Sequence, residues 1–189
     1  MPPKPKFTKD EIVATALDVV SENGVEALTA KRLGNALGSS ASPLFTVFNS
    51  MKEIQDEVRI AAMHRFEAFD VPDMDELPVF KRVGMKMVFF AAREPKLFRL
   101  LFMQENRNAV SFDDIFAELG ETAVECVKAL QTNYALSEQD AKRVFENIWI
   151  YTFGVGVLCA TRVCHFSEET LSDMLSQEFQ ALMLWVKKP

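Results

Sequence analysis

Residues 8–54 read TKDEIVATALDVVSENGVEALTAKRLGNALGSSASPLFTVFNSMKEI, and they predict three short helices followed by the start of a fourth. The first helix is predicted to begin after Thr8, because Thr8 and Glu11 form a capping box. In such a box the hydroxyl accepts a hydrogen bond from the Glu11 amide, and the carboxylate reaches back to the cap. Apolar residues then recur at the spacing of one helix face. Gly24 ends this helix, since glycine adopts a positive φ without steric cost.

The second and third helices are predicted to be short and to be separated by a tight turn. Gly38 ends the second helix, and Ser39 or Ser40 can cap the third. The third is predicted to cover residues 40–48, where Pro43 is tolerated because the amides of a first turn have no partner within the helix. Its inward-facing residues are predicted to be Leu44, Val47 and Phe48.

The rest of the chain is predicted to be helical as well. Ser50 and Glu53 form a second capping box at the start of the fourth helix. The next helix ends near Arg93 and is stopped by Pro95. In total, about nine helices and no convincing strand are predicted, which indicates an all-α fold. The other predicted segments are a connector over 70–78, a loop near 106–108, and helices over about 96–104, 111–130, 137–164 and 167–187.

Composition excludes several classes of protein. A hydrophobic content of 49% supports a sizeable core and excludes intrinsic disorder. The charged start is not followed by an apolar stretch, and no apolar run approaches the roughly 20 residues of a membrane span. A cytoplasmic protein with no signal peptide and no membrane partner is therefore expected.

Reactive and metal-binding residue types are present, but not at the spacing that catalysis or metal binding requires. The three cysteines lack zinc spacing, and Cys159 and Cys164, five residues apart, are predicted not to share a helix face. Buried inert thiols are favoured over redox sensors. We find no nucleophile motif, phosphate loop or metal signature. We therefore expect no metal, no cofactor and no enzymatic activity.

The charge is distributed unevenly along the chain. The net charge is −6, yet residues 1–49 hold five basic and five acidic residues, so the whole excess lies in residues 50–189. This balance does not indicate a basic patch. A neutral segment (residues 1–49) joined to an acidic one (residues 50–189) would nevertheless be the part oriented toward a polyanion. Lys4 and Lys6 lie on a proline-rich arm, which is interpreted either as an added contact to such a polyanion or as a solvated tail.

The N-terminal stretch resembles the TetR/AcrR family of bacterial transcriptional regulators. That resemblance implies a helix-turn-helix DNA-binding domain over residues 1–52 and an effector-binding and dimerisation domain over residues 53–189. The matching residues are Ile12, Ala16, Leu17, Asn23, Gly24, Leu28, Thr29, Leu33, Gly34, Gly38, Ser39, Ser40, Leu44, Phe45, Phe48, Asn49, Ser50, Glu53 and Ile54.

By this resemblance, residues 40–48 would be the recognition helix in the major groove of an operator. Small side chains let the backbone approach base edges, and hydroxyls serve either donor or acceptor bases.

The chain departs from the family in having Ala41 where a Lys is frequent, Phe45 where a Tyr is common, and Val47 where an aromatic residue or His is frequent. A shallow salt dependence is therefore expected. The predicted DNA-binding residues are Thr29, Ser39, Ser40, Ala41, Ser42, Pro43, Phe45, Thr46, Asn49, Ser50 and Lys52.

The body of the chain is rich in Phe and Met, which suits either an ordinary core or a cavity for an apolar or aromatic effector. The resemblance favours the cavity. Polar neighbours for a ligand are expected at Gln104, Arg107, Asn147 and Tyr151. The predicted pocket residues are Phe89, Phe90, Phe98, Phe102, Met103, Phe116, Trp149 and Phe153.

The last two helices would form the interface of a homodimer, as the resemblance implies. Glycine inside a helix lowers its propensity by about 1 kcal/mol relative to Ala, and close approach of a partner helix would explain two of them. The final helix also has a wider apolar stripe than an isolated monomer exposes. The predicted interface residues are Gly154, Gly156, Leu171, Leu175, Phe179 and Leu182.

These features predict a repressor that leaves a palindromic double-stranded DNA operator when a small-molecule effector binds. An alternative is a helical binding module that has lost DNA affinity, since the predicted recognition helix is uncharged. A third, weakly supported reading is an enzyme with an unrecognised helical site.

Overall fold

The computed structural model describes residues 5–71, 74, 77–105 and 109–187. Within these residues the chain forms eight α-helices, two 3₁₀ helices and no strand, which confirms the predicted all-α fold. The α-helices are one fewer than predicted, because the third predicted helix is 3₁₀. No helix of the described ranges is long and apolar enough to cross a membrane. The α-helices are α1 (Lys9–Asn23), α2 (Ala30–Ala36), α3 (Met51–Glu67), α4 (Val79–Arg93), α5 (Pro95–Phe102), α6 (Phe112–Tyr134), α7 (Glu138–Ala160) and α8 (Glu168–Val186), and the 3₁₀ helices are Val25–Ala27 and Ser42–Thr46.

The two predicted capping boxes have different outcomes. At α1 the box is complete: Glu11 N donates to Thr8 Oγ1 at 3.2 Å, and Thr8 N donates to Glu11 Oε2 at 2.8 Å. At α3, Ser50 Oγ accepts from Glu53 N as predicted, at 3.2 Å. The Glu53 carboxylate, however, accepts from the backbone N of Asn49 at 2.8 Å instead of reaching Ser50. In the second box, the Glu53 carboxylate therefore accepts from the amide one residue before the predicted N-cap.

The chain divides into two compact units. The first unit contains Met1–Phe69 and Glu94–Gln104, so that α5 belongs with the N-terminal helices and packs on α1 and α3. The predicted functional boundary after residue 52 stays a prediction; α3 lies in the first unit over its whole length. Fully buried side chains of this unit are Ile12, Val20, Leu33, Leu44, Phe48, Ile54, Val58, Leu97 and Phe98.

Glu94 ties three helices of the first unit together. It lies at the N-cap of α5, and its side chain is only 17% exposed. Its carboxylate accepts a hydrogen bond from Ser21 Oγ of α1 at 3.0 Å and pairs with the guanidinium of Arg65 of α3. A carboxylate held by two partners at low exposure fixes the start of α5 against α1 and α3.

The second unit contains Asp70–Arg93 and Glu105–Pro189, in which α4, α6, α7 and α8 pack on one another. Helix α4 packs along α7, and α7 packs along α8. Thr152 of α7 is the buried polar residue among the described residues, at 3% exposure. The core cluster of this unit consists of Phe80, Ala123, Cys126, Val127, Leu130, Ala141, Val144, Phe145 and Phe179.

Two predicted helix ends were wrong. Helix α6 continues past Leu130 to Tyr134 and carries an internal break at Gly120, whose φ of 57° lies outside the helical region. Helix α7 stops at Ala160 instead of near Cys164. The cause is Arg162, which has a φ of 59° and turns the chain back, so that Val163 N donates to Leu158 O at 3.1 Å.

Candidate functional site

Helix α2 contacts the backbone of the segment that follows it at one glycine, Gly34. A Cβ at Gly34 would lie 2.8 Å from the carbonyl carbon of Ser40 and 2.9 Å from the backbone N of Ala41. The turn between them uses Gly38, whose φ is 65°, and Ser39 N donates to Gly34 O at 2.8 Å. Backbone lies directly against backbone here, so Gly34 fixes how closely the two elements of the predicted helix-turn-helix approach.

The predicted recognition helix over residues 40–48 is instead a five-residue 3₁₀ helix, Ser42–Thr46. Pro43 at its start has no amide hydrogen, and the Thr46 hydroxyl donates to Pro43 O at 2.7 Å, which satisfies a carbonyl within the tight turn. No side chain caps this element, so the predicted cap at Ser39 or Ser40 was wrong. Ser39 Oγ accepts from Lys6 Nζ at 3.0 Å instead.

The orientation of this 3₁₀ helix agrees with the predicted pattern for Leu44 and Phe48, which are buried, while Val47 is only half-buried. Phe45 points outward and is 46% exposed, which is unusual for a large aromatic side chain. All eleven predicted DNA-binding residues lie in the first unit. Eight of them are exposed and three, Ser39, Ala41 and Pro43, are half-buried.

Most polar side chains in this region hold the local backbone. Thr29 Oγ1 accepts from Arg32 N at 3.2 Å to cap α2. Asn49 Nδ2 donates to Glu53 Oε2 at 3.0 Å, and Lys52 pairs with Asp56 one turn later. Across the described residues, the exposed hydroxyls of Ser40 and Ser42 have no partner in the chain and are available to a ligand.

The segment around Ser42–Thr46 contains no acidic residue, and the carboxylates that follow it along the chain, Glu53 and Asp56, bind Asn49 and Lys52. Residues 27–52 contain no Asp or Glu, whereas they contain Lys31, Arg32 and Lys52. Lys6 adds a fourth cation through its bond to Ser39. The sequence prediction missed Lys31 and Arg32 because it summed charge over residues 1–49. A run of 26 residues without acids is the signal that would have found them. Lys4 lies outside the described residues.

The second unit contains a cavity of about 330 Å³ among α4, α7 and α8. Each helix contributes residues at the spacing of one face, three or four positions apart. The walls are apolar, and Thr152, Ser172 and Ser176 add hydroxyl groups. The lining residues that the structure describes are Met74, Leu77, Phe80, Lys81, Gly84, Met85, Ile148, Thr152, Ser172, Leu175, Ser176 and Phe179.

The eight residues predicted to line an effector pocket do not line this cavity. Phe98, Phe102 and Met103 belong to the first unit, where the rings of Phe98 and Phe102 lie 5.0 Å apart. In the second unit Trp149 stacks on Phe153 at 5.3 Å. The other three also lie in the second unit: Phe89 and Phe90 are buried in α4, and Phe116 is half-buried in α6. Of the predicted polar neighbours, Arg107 lies outside the described residues. The cavity contains two aromatic residues, Phe80 and Phe179, that were not among the predicted pocket residues, and its other lining residues are aliphatic, small or polar.

The predicted dimer-interface residues on α8 pack inside their own unit. Leu171, Leu175, Phe179 and Leu182 are each less than a tenth exposed, and two of them line the cavity. On α7, Gly156 is buried, whereas Gly154 is exposed and has open space around the position of a Cβ. Dimerisation stays a prediction, but a second copy would meet other side chains of these helices, namely the exposed Ile150, Leu184 and Trp185.

A second cavity, of about 290 Å³, brings two thiols together. Cys159 and Cys164 line it with Arg162 and His165, although their spacing predicted separate faces. That prediction assumed a continuous helix, which the chain reversal at Arg162 ends. Burial raises the pKa of Cys159, and burial raises that of Cys126 to about 12. In the described residues, no three His, Cys, Asp or Glu side chains form a group that could hold a metal ion.

Comparison with known proteins adds no relative. No protein-family model matches the chain, and no curated protein matches it.

Proposed function

We propose that the protein is a cytoplasmic, ligand-responsive transcriptional regulator that binds double-stranded DNA through its first unit. The observation that carries the proposal is the surface around Ser42–Thr46, which lies within 26 residues free of acidic side chains. Because phosphates repel carboxylates, a segment without acidic side chains favours a close approach to DNA. Gly34, at the contact between α2 and the 40–41 backbone, supports a fixed geometry for that surface.

The proposed contacts are of two kinds: contacts that position the protein on the DNA and contacts that recognise its base sequence. Lys31, Arg32 and Lys52 would contact phosphates, which hold the register of the protein on the duplex. Ser42 would present its free hydroxyl to base edges, and Phe45 would contact a thymine methyl group.

Chain connectivity supports a response to a ligand. Helix α4 contributes Lys81 and Gly84 to the cavity and ends at Arg93, whereas α5 begins at Pro95 and packs on α1 and α3. Glu94 alone separates the two helices and is itself held by α1 and α3. In this proposal a ligand that favours one position of α4 biases the first unit through this junction and releases the operator. A homodimer would match a palindromic operator.

A specific observation favours a second candidate, a helical binding module without DNA affinity. Residues 33–51, which include the whole 3₁₀ helix, contain no Lys or Arg. The element nearest the bases would then gain little from phosphates. The two candidates share the ligand cavity and differ only in whether the first unit binds DNA. We propose no catalytic step for either of them.

The test is a fluorescence-anisotropy titration of the protein against tiled DNA fragments from upstream of its own gene, at several salt concentrations. We expect saturable binding to one fragment and much weaker binding to the others. Replacing Ser42 and Thr46 together by Glu should abolish that preference. The matched control replaces Thr122 and Thr132, both exposed on α6, by Glu and should bind as the parent does. Equal binding to every fragment, or full binding by the first variant, would contradict the proposal.

A further inference from the structure

The cavity in the second unit is kept open by a missing side chain. Gly84 lies within α4, where glycine weakens a helix relative to alanine. A Cβ there would lie 3.7 Å from Thr152 Oγ1 and 3.9 Å from Leu175 Cδ1, which is ordinary contact. No close approach of backbone therefore requires the glycine. Its effect is to leave space beside Thr152 that a larger residue would fill.

The cavity offers one charged group to a ligand. Lys81 is the charged residue among the described lining residues, and its Nζ lies 5.6 Å from the centre of the Phe179 ring, which is also in the wall. In the described ranges no carboxylate pairs with Lys81. The ring contact is a cation–π interaction, which leaves the three N–H donors of the half-buried ammonium for an anionic partner. Ser172 and Ser176 add hydroxyl donors on α8.

The volume limits the size of the ligand. A cavity of about 330 Å³ is at the lower end of the range of roughly 300–1,000 Å³ that is usual for small-molecule sites, so it suits a small ligand. One ammonium and a few hydroxyls match a monoanion better than a phosphate, which presents more charge and more acceptor oxygens. The remaining walls, such as Met85, Leu175 and Phe179, suit a hydrocarbon.

We propose that the cavity binds a small apolar carboxylic acid, with its carboxylate on the Lys81 ammonium and its hydrocarbon part among α4, α7 and α8. This ligand class concerns the effector cavity of the proposed regulator and in that sense rests on the proposed function. The ion pair would form at the edge of an apolar wall, where charge-assisted hydrogen bonds are stronger than in water.

Isothermal titration calorimetry of the full chain tests the ligand class without DNA. Octanoate and 3-phenylpropanoate would be compared with their neutral amides, which have the same number of non-hydrogen atoms. We expect each acid to bind at least tenfold more tightly than its amide. Lys81→Met should remove that preference, whereas Arg82→Met, which removes a charge from an exposed position on the same helix, should retain it. Circular dichroism would verify that both variants are folded.

Three results would overturn the proposal: equal affinity for acid and amide, an unchanged preference in Lys81→Met, or no heat with any of the four compounds at millimolar concentration. Anisotropy with the operator fragment then separates this proposal from the proposed function. Binding of the acid without any DNA binding by the protein would sustain the ligand class and contradict the regulator. DNA binding without acid binding would do the reverse.

Discussion

At the scale of single residues, two glycines within helices have opposite roles. Gly34→Ala would place a Cβ 2.8 Å from the backbone of Ser40, which cannot yield as a flexible side chain does. We expect this variant to lose about 1–3 kcal/mol of unfolding free energy, despite the better helix propensity of alanine. Urea denaturation measures the loss, and DNA binding should weaken with it.

Gly84→Ala is the matched control for that variant, since its Cβ would meet only ordinary contacts in α4. Here the gain in helix propensity should dominate and raise the unfolding free energy by about 0.5–1 kcal/mol. If both variants shifted the urea midpoint in the same direction, the close contact at Gly34 would not have the role assigned to it.

The three thiols should differ in reactivity because the thiolate is the nucleophile. Burial raises the pKa of Cys126 to about 12, so at pH 8 only about one molecule in ten thousand carries that thiolate. Cys159 is buried with a raised pKa, whereas Cys164 is half-buried. We expect iodoacetamide at pH 8 to modify Cys164 first and Cys126 last, as peptide mass spectrometry would show. Early modification of Cys126 would mean that the second unit opens readily.

Because its folded-state pKa is raised, Cys126 also makes stability depend on pH in a known direction. Below about pH 9 both the folded and unfolded states hold the proton, and the contribution of the group is complete. Above pH 9 the unfolded chain loses the proton while the folded chain keeps it until about pH 12. Unfolding therefore becomes easier across that window. Cys126→Ala should flatten this part of the stability profile.

At the scale of elements, the junction between α4 and α5 gives a prediction that separates an ion pair with a partly buried carboxylate from an exposed pair. Glu94→Gln would remove the charge that Arg65 pairs with and weaken the bond from Ser21, at a site 17% exposed. We expect a loss of about 1–2 kcal/mol in thermal unfolding. Glu168→Gln is the control: its pair with Arg93 is about half exposed, and its loss should stay below about 1 kcal/mol. Equal losses would contradict a special role for Glu94.

Helix starts could be predicted from the sequence, whereas several helix interiors and ends could not. Thr8 and Ser50 accept from the amides that a capping pattern predicts, since the required contacts are three residues away. The reversal at Arg162 has no such local signal, because arginine disfavours a positive φ and the surrounding fold must impose it. Helical periodicity likewise does not distinguish a 3₁₀ helix from an α-helix over the five residues Ser42–Thr46.

At the scale of the whole molecule, the cavity shows why the candidate site was harder to predict than the fold. The predicted pocket residues include aromatic side chains that pack on one another, as Trp149 does on Phe153, whereas the aromatic residues in the cavity wall, Phe80 and Phe179, were not among those predicted. Space remains where small residues face each other across helices, as Gly84 faces Thr152. Which helix faces meet depends on packing between distant segments, so only the structure identifies the cavity.

The proposed assembly of the molecule gives the last prediction. On α7 and α8, the apolar stripe predicted as the interface is buried within the unit, which leaves Leu184 at 72% and Trp185 at 45% exposure on the outer side of α8. Two such helices from each copy could bury these side chains in a symmetric interface. Light scattering of the parent at micromolar concentration should give twice the chain mass of 21.4 kDa. Leu184→Glu should give the monomer, because a carboxylate at the centre of an apolar contact is left unpaired in both copies. Val110→Glu adds the same charge at a residue 93% exposed near the start of α6 and should remain dimeric. A monomeric parent would remove the dimer from the proposal, and a dimeric Leu184→Glu would move the interface to another face.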